Sequence, residues 1–239
     1  MTKLSVNINK IATLRNARGG NNPNLINAAK DCERFGAEGI TVHPRPDERH
    51  IKTQDVYDLK HVVTTEFNIE GYPDRRYMEL IKEIRPAQAT LVPDPPEAVT
   101  SNAGWDTKRQ MGFLQDIVAE IASYGVRTSI FLNPDIEMVT YAKLCGTQRI
   151  ELYTEPYASM YHTHRENAIK SYVSAACEAQ KIGLELNAGH DLDSKNLKFF
   201  VQKIPFIKEV SIGHALICDA LYWGLENTIQ IYKRQLYEK

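Results

Sequence analysis

The chain has 239 residues, 43% of them hydrophobic, and a formal net charge of −1, which suits one large domain and gives no indication of a nucleic-acid partner. No apolar segment approaches the ~20 residues that cross a bilayer, so no membrane partner is predicted. Residues 1–4 enter a strand without the apolar core of a signal peptide, so we expect a cytoplasmic protein.

Short apolar segments recur along the chain and are predicted to be strands. They are residues 4–9, 39–43, 67–70, 89–92, 128–131, 149–152, 184–190 and 210–214. Several of them end in His, Glu or Asn, which is an unusual way to finish a purely structural strand. These polar ends are therefore candidates for chemistry.

Helical periodicity fills the intervals between the predicted strands. The predicted helices are residues 24–35, 55–65, 74–84, 111–124, 136–145, 166–182, 196–203 and 216–236. Strand–helix alternation with short joins implies parallel βαβ units. Without a mid-chain linker, eight such units predict one α/β domain over residues 1–239, a (β/α)8 TIM barrel with its active site at the C-terminal mouth.

Two connections after strands are longer than the others, at residues 16–24 and 93–109. The first is polar and rich in glycine, and the second contains three prolines near its start. Long loops at the C-terminal face of a barrel are usually functional or mobile. We therefore expect both loops to border the active site.

Histidines and glutamates at strand ends form the candidate acid/base set. His43, His190 and His214 end three predicted strands, and Glu70 and Glu151 end two others. A carboxylate among apolar strand residues costs several kcal/mol unless it is paired or protonated, which indicates tuned proton transfer. The alternatives are structural histidines, a salt bridge within the mouth, or a metal site with dispersed ligands. No H-E-x-x-H motif occurs, so we predict no metal.

Basic and glycine-containing segments indicate phosphate binding. Arg15, Arg18, Arg45 and Arg49 follow the first two strands, and arginine binds phosphate through a bidentate fork. The turns after the last two strands are the usual phosphate site of such barrels. Two anion-receptive regions predict two small phosphorylated substrates or one bisphosphate. No G-x-G-x-x-G follows the first strand, so no dinucleotide cofactor is predicted.

The four cysteines lie far apart and form no C-x-x-C pair. Each lies in or at the end of a predicted helix, where a buried small hydrophobic residue is expected. They are Cys32, Cys145, Cys177 and Cys218.

Six motifs of this chain closely resemble those of the pyridoxine 5′-phosphate synthase family. They are VNINKIATLRNAR at 6–18, GITVH at 39–43, RPDERHI at 45–51, FNIE at 67–70, NAGH at 187–190 and IGHA at 212–215. The resemblance covers essentially the whole chain. It implies a (β/α)8 barrel that forms octamers built from dimers. It also implies a cofactor-independent condensation of 1-deoxy-D-xylulose 5-phosphate with 3-amino-2-oxopropyl phosphate, which releases phosphate and water.

The resemblance also implies roles for individual residues. His43 and Glu70 would be general bases, His190 a general acid, and Glu151 would stabilise charge in the transition state. The deoxyxylulose phosphate would be held by Asn9, Lys10, Arg45, His50 and Thr100. The amino-ketone phosphate would be held by Asn7, Arg18, Asp191, Gly213 and His214. The loop at 93–109 matches a mobile lid over the mouth.

The chain departs from the family pattern at several positions. Asn9-Lys10 replaces an Asp-His pair, Tyr153 and Glu155 replace a His and a Gly, and Asp191 replaces a common glycine. A carboxylate would repel a phosphate, so we expect Asp191 to offer its backbone N–H. Its side chain would pair with a Lys or Arg or with the start of the helix near Ser194. Another phosphosugar isomerase or epimerase, or a non-catalytic binding barrel, is the alternative function.

Overall fold

The computed structural model describes residues 1–93 and 103–237. Eight parallel strands follow one another around a closed barrel, and β1 pairs with β8 to complete it. The strands are β1 Lys3–Asn7, β2 Gly39–Val42, β3 Glu66–Gly71, β4 Gln88–Leu91, β5 Arg127–Leu132, β6 Arg149–Leu152, β7 Glu185–Ala188 and β8 Glu209–Ile212. Each predicted strand is present, and the predicted TIM barrel is confirmed.

Helices surround this barrel in the described part of the chain. They are α1 Asn9–Arg18, α2 Leu25–Arg34, α3 Thr53–Lys60, α4 Arg75–Ile84, α5 Met111–Ser123, α6 Ile136–Leu144, α7 Glu155–Ala168, α8 Lys170–Lys181, α9 Leu197–Lys203, α10 His214–Trp223 and α11 Leu225–Tyr237. None of them combines the length and the apolar character needed to span a bilayer.

Three helical features differ from the sequence prediction. Helix α1 was not predicted, because it is polar and buries only Ile11, Ala12 and Arg15. Helix α7 begins at Glu155, whereas the predicted helix begins at residue 166. Pro156 in the first turn of α7 is a recognised start signal for a helix. The predicted helix 216–236 is divided at Gly224, which has the left-handed backbone φ of 79° that favours glycine.

The strands alternate apolar side chains that face the helices with polar side chains that fill the barrel. Leu4 and Val6 of β1 are fully buried, whereas Ser5 between them hydrogen-bonds Thr41 of β2 at 2.8 Å. Thr90 donates to Asn68 at 2.9 Å, which continues the polar interior across β3 and β4. Burial of these hydroxyl and amide groups is tolerated because they hydrogen-bond one another.

A charged layer closes the barrel at the N-terminal ends of the strands. Arg149 donates to Glu185 at 2.6 Å and reaches across the interior to Glu66 on β3 at 3.2 Å. Arg127 also donates to Glu66. Glu209 at the start of β8 is 1% exposed, and burial raises its pKa to about 7. Several charges therefore lie beneath the mouth, most of them in pairs.

The cysteine prediction is only partly right. Cys32 and Cys145 are buried, as expected, and burial raises the pKa of the Cys145 thiol to about 11. Cys218 is half-buried, whereas Cys177 is exposed on α8, so the prediction is wrong for Cys177.

Candidate active site

The C-terminal mouth gathers the predicted acid/base residues from four strands. Glu70 and Glu151 lie in β3 and β6, His43 directly follows β2, and His190 lies two residues beyond β7. Asn7 at the end of β1 donates from Nδ2 to Glu70 Oε2 at 3.4 Å. The fold thus directs side chains that are far apart in sequence toward one opening.

Helix α1 fixes the position of His43. Asn7 Oδ1 accepts the backbone N–H of Asn9 at 3.0 Å, where the helix starts. Asn9 Oδ1 in turn accepts the backbone N–H of His43 at 3.0 Å. Asn9, expected to hold a substrate, therefore also ties the end of β2 to α1.

His43 is a buried neutral imidazole. Only 9% of the residue is exposed, and burial lowers its pKa to about 3. Electrostatic interaction with His50, Arg45, Arg76 and His190 lowers the pKa further. His43 therefore stays uncharged at physiological pH.

His50 lies beside His43, with 6.2 Å between ring centroids. Its Nδ1 accepts the backbone N–H of Ile51 at 2.9 Å, which orients the ring. Burial lowers the pKa of His50 to about 4, and Lys10 and Arg45 add to the effect. The ring is thus neutral at physiological pH, and its Nε2 carries the proton.

The four arginines predicted as a phosphate cluster do not act together. Arg15 is buried and forms a two-pronged ion pair with Asp55, at 2.6 and 2.8 Å. Arg49 donates to Asp47 at 2.6 Å. The guanidinium of Arg15 is therefore committed to Asp55, which contradicts the prediction for that residue, whereas phosphate binding by Arg49 stays a prediction.

The other two arginines differ in exposure. Arg18 is exposed at the last position of α1, about 13 Å along the helix from Asn9. Arg45 is 4% exposed and lines a small pocket with His43 and Tyr72. Arg76 of α4 lines the same pocket and donates to the Pro44 carbonyl at 2.5 Å. Arg76 was not predicted from the sequence, since it lies on a helix and not at a strand end.

Glu151 is a buried acid of the mouth with a raised pKa. It is 2% exposed, and its Oε2 has no hydrogen-bond partner among the described residues. Desolvation raises the pKa of Glu151 to about 7, while His190 and Arg149 act in the opposite direction. The group can therefore both donate and accept a proton near neutral pH, as the tuned-carboxylate hypothesis required.

Glycines allow close approach where β7 and β8 end. A Cβ on Gly189 would lie 1.9 Å from the Ser211 carbonyl oxygen, and one on Gly213 would lie 3.0 Å from Asn7 Cβ. Gly213 leads directly into α10, whose first residue is the exposed His214. The helix start presents backbone N–H groups at the mouth, the geometry that suits a phosphate. Cys218 Sγ lies 3.6 Å from His214 Nε2.

Asp191 does not have the expected partner. Its Oδ2 accepts a hydrogen bond from His190 Nδ1 at 2.8 Å, so the expectation of a Lys, an Arg or a helix start is wrong. Its backbone N–H, expected to face a ligand, donates to Thr154 Oγ1 at 3.1 Å. The turn near Ser194 is instead capped by Asp193, which accepts the N–H groups of residues 195 and 196.

An aromatic wall borders the site beside the predicted lid. Phe131 and Tyr153 pack edge to face at 5.5 Å between centroids. The indole of the buried Trp105 donates to the Leu91 carbonyl at 3.0 Å and stacks on Tyr72. Trp105 thus anchors the C-terminal part of the 93–109 loop. Thr100 and the rest of 94–102 lie outside the described residues.

Metal-ligating side chains do not converge at the mouth or elsewhere within residues 1–93 and 103–237. His, Cys, Asp and Glu form no group of three or more there that could hold a metal ion. The geometry of the mouth is that of proton-transfer groups beside anion-receptive ones.

Comparison with known proteins gives a family match over almost the whole chain. The model of the family described as "Pyridoxal phosphate biosynthesis protein PdxJ" matches residues 4–238. Pyridoxine 5′-phosphate synthase from Cytophaga hutchinsonii is 61% identical over 236 residues, with 99% of both chains covered. The enzyme of the same name from Porphyromonas gingivalis is 59% identical, again over 99% of both chains.

Solved structures show the same fold at much lower identity. The 3-keto-L-gulonate-6-phosphate decarboxylase from Vibrio cholerae matches with a TM-score of 0.67 and 10% identity, covering 98% of this chain and 97% of its own. Phosphoribosyl anthranilate isomerase from Thermotoga maritima matches with a TM-score of 0.58 and 10% identity, over 99% and 98% of the two chains. At this identity the likeness concerns the barrel alone.

Proposed function

The chain belongs to the PdxJ family of pyridoxal phosphate biosynthesis proteins, and on that premise we propose the reaction it catalyses. The enzyme condenses 1-deoxy-D-xylulose 5-phosphate with 3-amino-2-oxopropyl phosphate to form pyridoxine 5′-phosphate. Inorganic phosphate and water are released. The proposal is supported by the family match and by the synthase name of relatives at 59–61% identity.

One observation carries the proposal: the acid/base side chains around the mouth differ in their protonation state. His43 is neutral because its pKa is lowered to about 3, and Glu151 titrates near 7 because it is desolvated. Glu70, next to Asn7, supplies a less deeply buried carboxylate. A condensation with several proton transfers needs groups that differ in this way.

The proposed chemistry starts with attack of the substrate amine on the ketone of the sugar phosphate. A C–N bond forms and water leaves, which gives an imine. His43 takes the proton from the attacking amine, and His190 gives one to the departing oxygen. Glu70 then moves protons during enolisation, phosphate loss and ring closure, while Glu151 stabilises the charge that develops. Water must be excluded while imines persist, which gives the 93–109 loop its role as a lid.

The two phosphates occupy opposite sides of the mouth in this proposal. The deoxyxylulose phosphate is held by Asn9, Lys10, Arg45, His50 and Thr100. The amino-ketone phosphate is held by Asn7, Arg18, Gly213 and His214, whereas the N–H and the carboxylate of Asp191 are bound within the protein. The start of α10 supports the second site, because its backbone N–H groups attract an anion. The buried guanidinium of Arg45 supports the first.

The proposed assembly is a homo-oligomer, an octamer built from dimers. An apolar segment at the end of α10 supports contact between copies, since Leu221 is 70% exposed and Tyr222 is 88% exposed. Trp223 beside them is 42% exposed. Large apolar side chains grouped on a surface commonly mark an interface. The mass from multi-angle light scattering would show the number of copies.

Mixing both substrates and following pyridoxine 5′-phosphate by its absorbance tests the function. Product and one equivalent of phosphate should form only when both substrates are present. An isomerase or epimerase would convert one sugar phosphate alone. A binding barrel would bind phosphates and release nothing. Either result would overturn the proposed reaction.

A further inference from the structure

His190 and Asp191 form a pair that the acid/base scheme above does not use. Asp191 Oδ2 lies 2.8 Å from His190 Nδ1. A carboxylate only accepts hydrogen bonds at neutral pH, so the imidazole must be the donor. The His190 side chain is 37% exposed and that of Asp191 is 27% exposed, so both are partly shielded from water.

The backbone around Asp191 is fixed on both sides, which aims the carboxylate. Its N–H donates to Thr154 Oγ1 at 3.1 Å, and its carbonyl accepts from Asn196 Nδ2 at 3.3 Å. Asn196 is itself buried and accepts the N–H of Asp193 at 2.9 Å. The carboxylate is therefore held by a built turn, and its place beside the imidazole follows from that turn.

Such a pair has two consequences for the imidazole. With Nδ1–H bound to the carboxylate, a neutral ring has its lone pair on Nε2, so proton exchange takes place at Nε2. The negative charge also favours the imidazolium, the form that a general acid must have before it reacts. The aspartate of catalytic triads acts on its histidine in the same two ways.

We propose that Asp191 is a positioning residue that orients His190 through Nδ1 and keeps it protonated for proton donation from Nε2. The proposal rests on the general-acid role given to His190 above. It assigns to the Asp191 side chain a task other than holding substrate phosphate. It also explains how a carboxylate is accommodated at this mouth, since the Asp191 carboxylate forms its hydrogen bond with the His190 imidazole.

Other groups also act on His190 and must stay constant in a test. Glu151 of β6 and His43 after β2 interact with it electrostatically. The ring of Tyr153 lies with its centroid 6.4 Å from that of His190. Each test variant therefore changes one carboxylate and leaves these three residues intact.

The test measures His190 protonation without relying on activity. Diethylpyrocarbonate acylates neutral imidazole, and mass spectrometry of the peptide containing His190 gives its rate of modification from pH 5 to 9 in the intact assembly. We expect Asp191→Asn to lower the midpoint of that profile by roughly one pH unit, because the charge that favours imidazolium is gone. Asp191→Glu should restore most of the shift. Glu155→Gln, which removes an exposed carboxylate acting on Tyr153, is the control and should leave the midpoint in place.

Steady-state kinetics then connect the pair to the reaction. Above its midpoint, Asp191→Asn should lose about tenfold in kcat, the tenfold drop in imidazolium that one pH unit produces, with KM for both substrates nearly unchanged. An unmoved modification midpoint would overturn the pairing whatever the activity. A midpoint that moves while the kcat profile does not would overturn the general-acid role of His190. A loss confined to KM would make Asp191 a substrate ligand instead.

Discussion

Replacing Glu209 by Gln should change how the stability of the barrel depends on pH. Glu209 is buried at the start of β8, and desolvation raises its pKa from 4.5 to about 7, with Glu151 adding to the rise. Its stabilising contribution is therefore fully present below pH 4.5 and is lost as the pH rises through about 7. In that window the folded protein binds more protons than the unfolded chain, so the free energy of unfolding falls with rising pH.

The size of the effect follows from the two pKa values. A rise from 4.5 to about 7 corresponds to about 3 kcal/mol at about 1.36 kcal/mol per pH unit. Glutamine cannot ionise, so the variant lacks this loss. Between pH 5 and pH 8 its stability should rise relative to the parent by about 2 to 3 kcal/mol. A difference in hydrogen bonding between glutamate and glutamine that does not depend on pH cancels from this comparison between pH 5 and pH 8.

Urea unfolding at fixed protein concentration, measured at several pH values from 5 to 8, gives the required free energies. Glu185→Gln is the matched control, since Glu185 belongs to the same charged layer and pairs with Arg149 at 2.6 Å. Burial would raise the pKa of Glu185, but the hydrogen bond and charge of Arg149 outweigh it and lower the pKa. Glu185 is then ionised in both states above pH 5, and its variant should give a flat difference. A flat difference for Glu209→Gln as well would refute the reasoning.

Three further predictions concern the mouth. Glu70→Gln should lower turnover by roughly 10² to 10⁴ with little change in folding, and turnover within a few-fold of the parent would remove Glu70 from the mechanism. Because the proton transfers are assigned to side chains, full activity should survive exhaustive chelation; activity lost and then regained with one divalent ion would contradict this. Gly189→Ala should cost about 1–3 kcal/mol in thermal or urea unfolding, since its Cβ would lie 1.9 Å from the Ser211 carbonyl oxygen. Gly112→Ala, whose Cβ meets nothing within 4 Å, is the control, and equal stability losses in both would show that crowding is not the cause.

The sequence was sufficient to predict the strands, because apolar residues recur in them and turn signals separate them. It was insufficient for α1 and for the first part of the α7–α8 region. Helix α1 carries Arg15 on its buried face, where a hydrophobic pattern expects an apolar residue. An ion pair with Asp55 satisfies that arginine, and a contact 40 residues away cannot be inferred from local periodicity.

The acid/base candidates were visible because His43, Glu70, Glu151 and His190 stand at strand ends, which a barrel brings together. Their protonation could not be predicted in the same way. The neutral state of His43 comes from its depth of burial and from cations on other elements. The partner of Asp191 was predicted wrongly, because a Lys, an Arg or a helix start was expected and the partner is the adjacent imidazole.

The polar interior of the barrel has a consequence for how its sequence can change over time. Arg149 donates to Glu66, Gln88 and Glu185 at once, so removing it alone would take one donor from each and leave Arg127 as the arginine that still donates to Glu66 and Gln88. Breaking a buried charge pair typically costs about 3–5 kcal/mol, a large share of the stability of any domain. Substitutions in this layer must therefore be concerted, whereas positions on the outer helices can drift one at a time. We therefore expect the charged layer to tolerate concerted substitutions better than single ones, whereas a residue at the mouth such as Asp191 can change by itself.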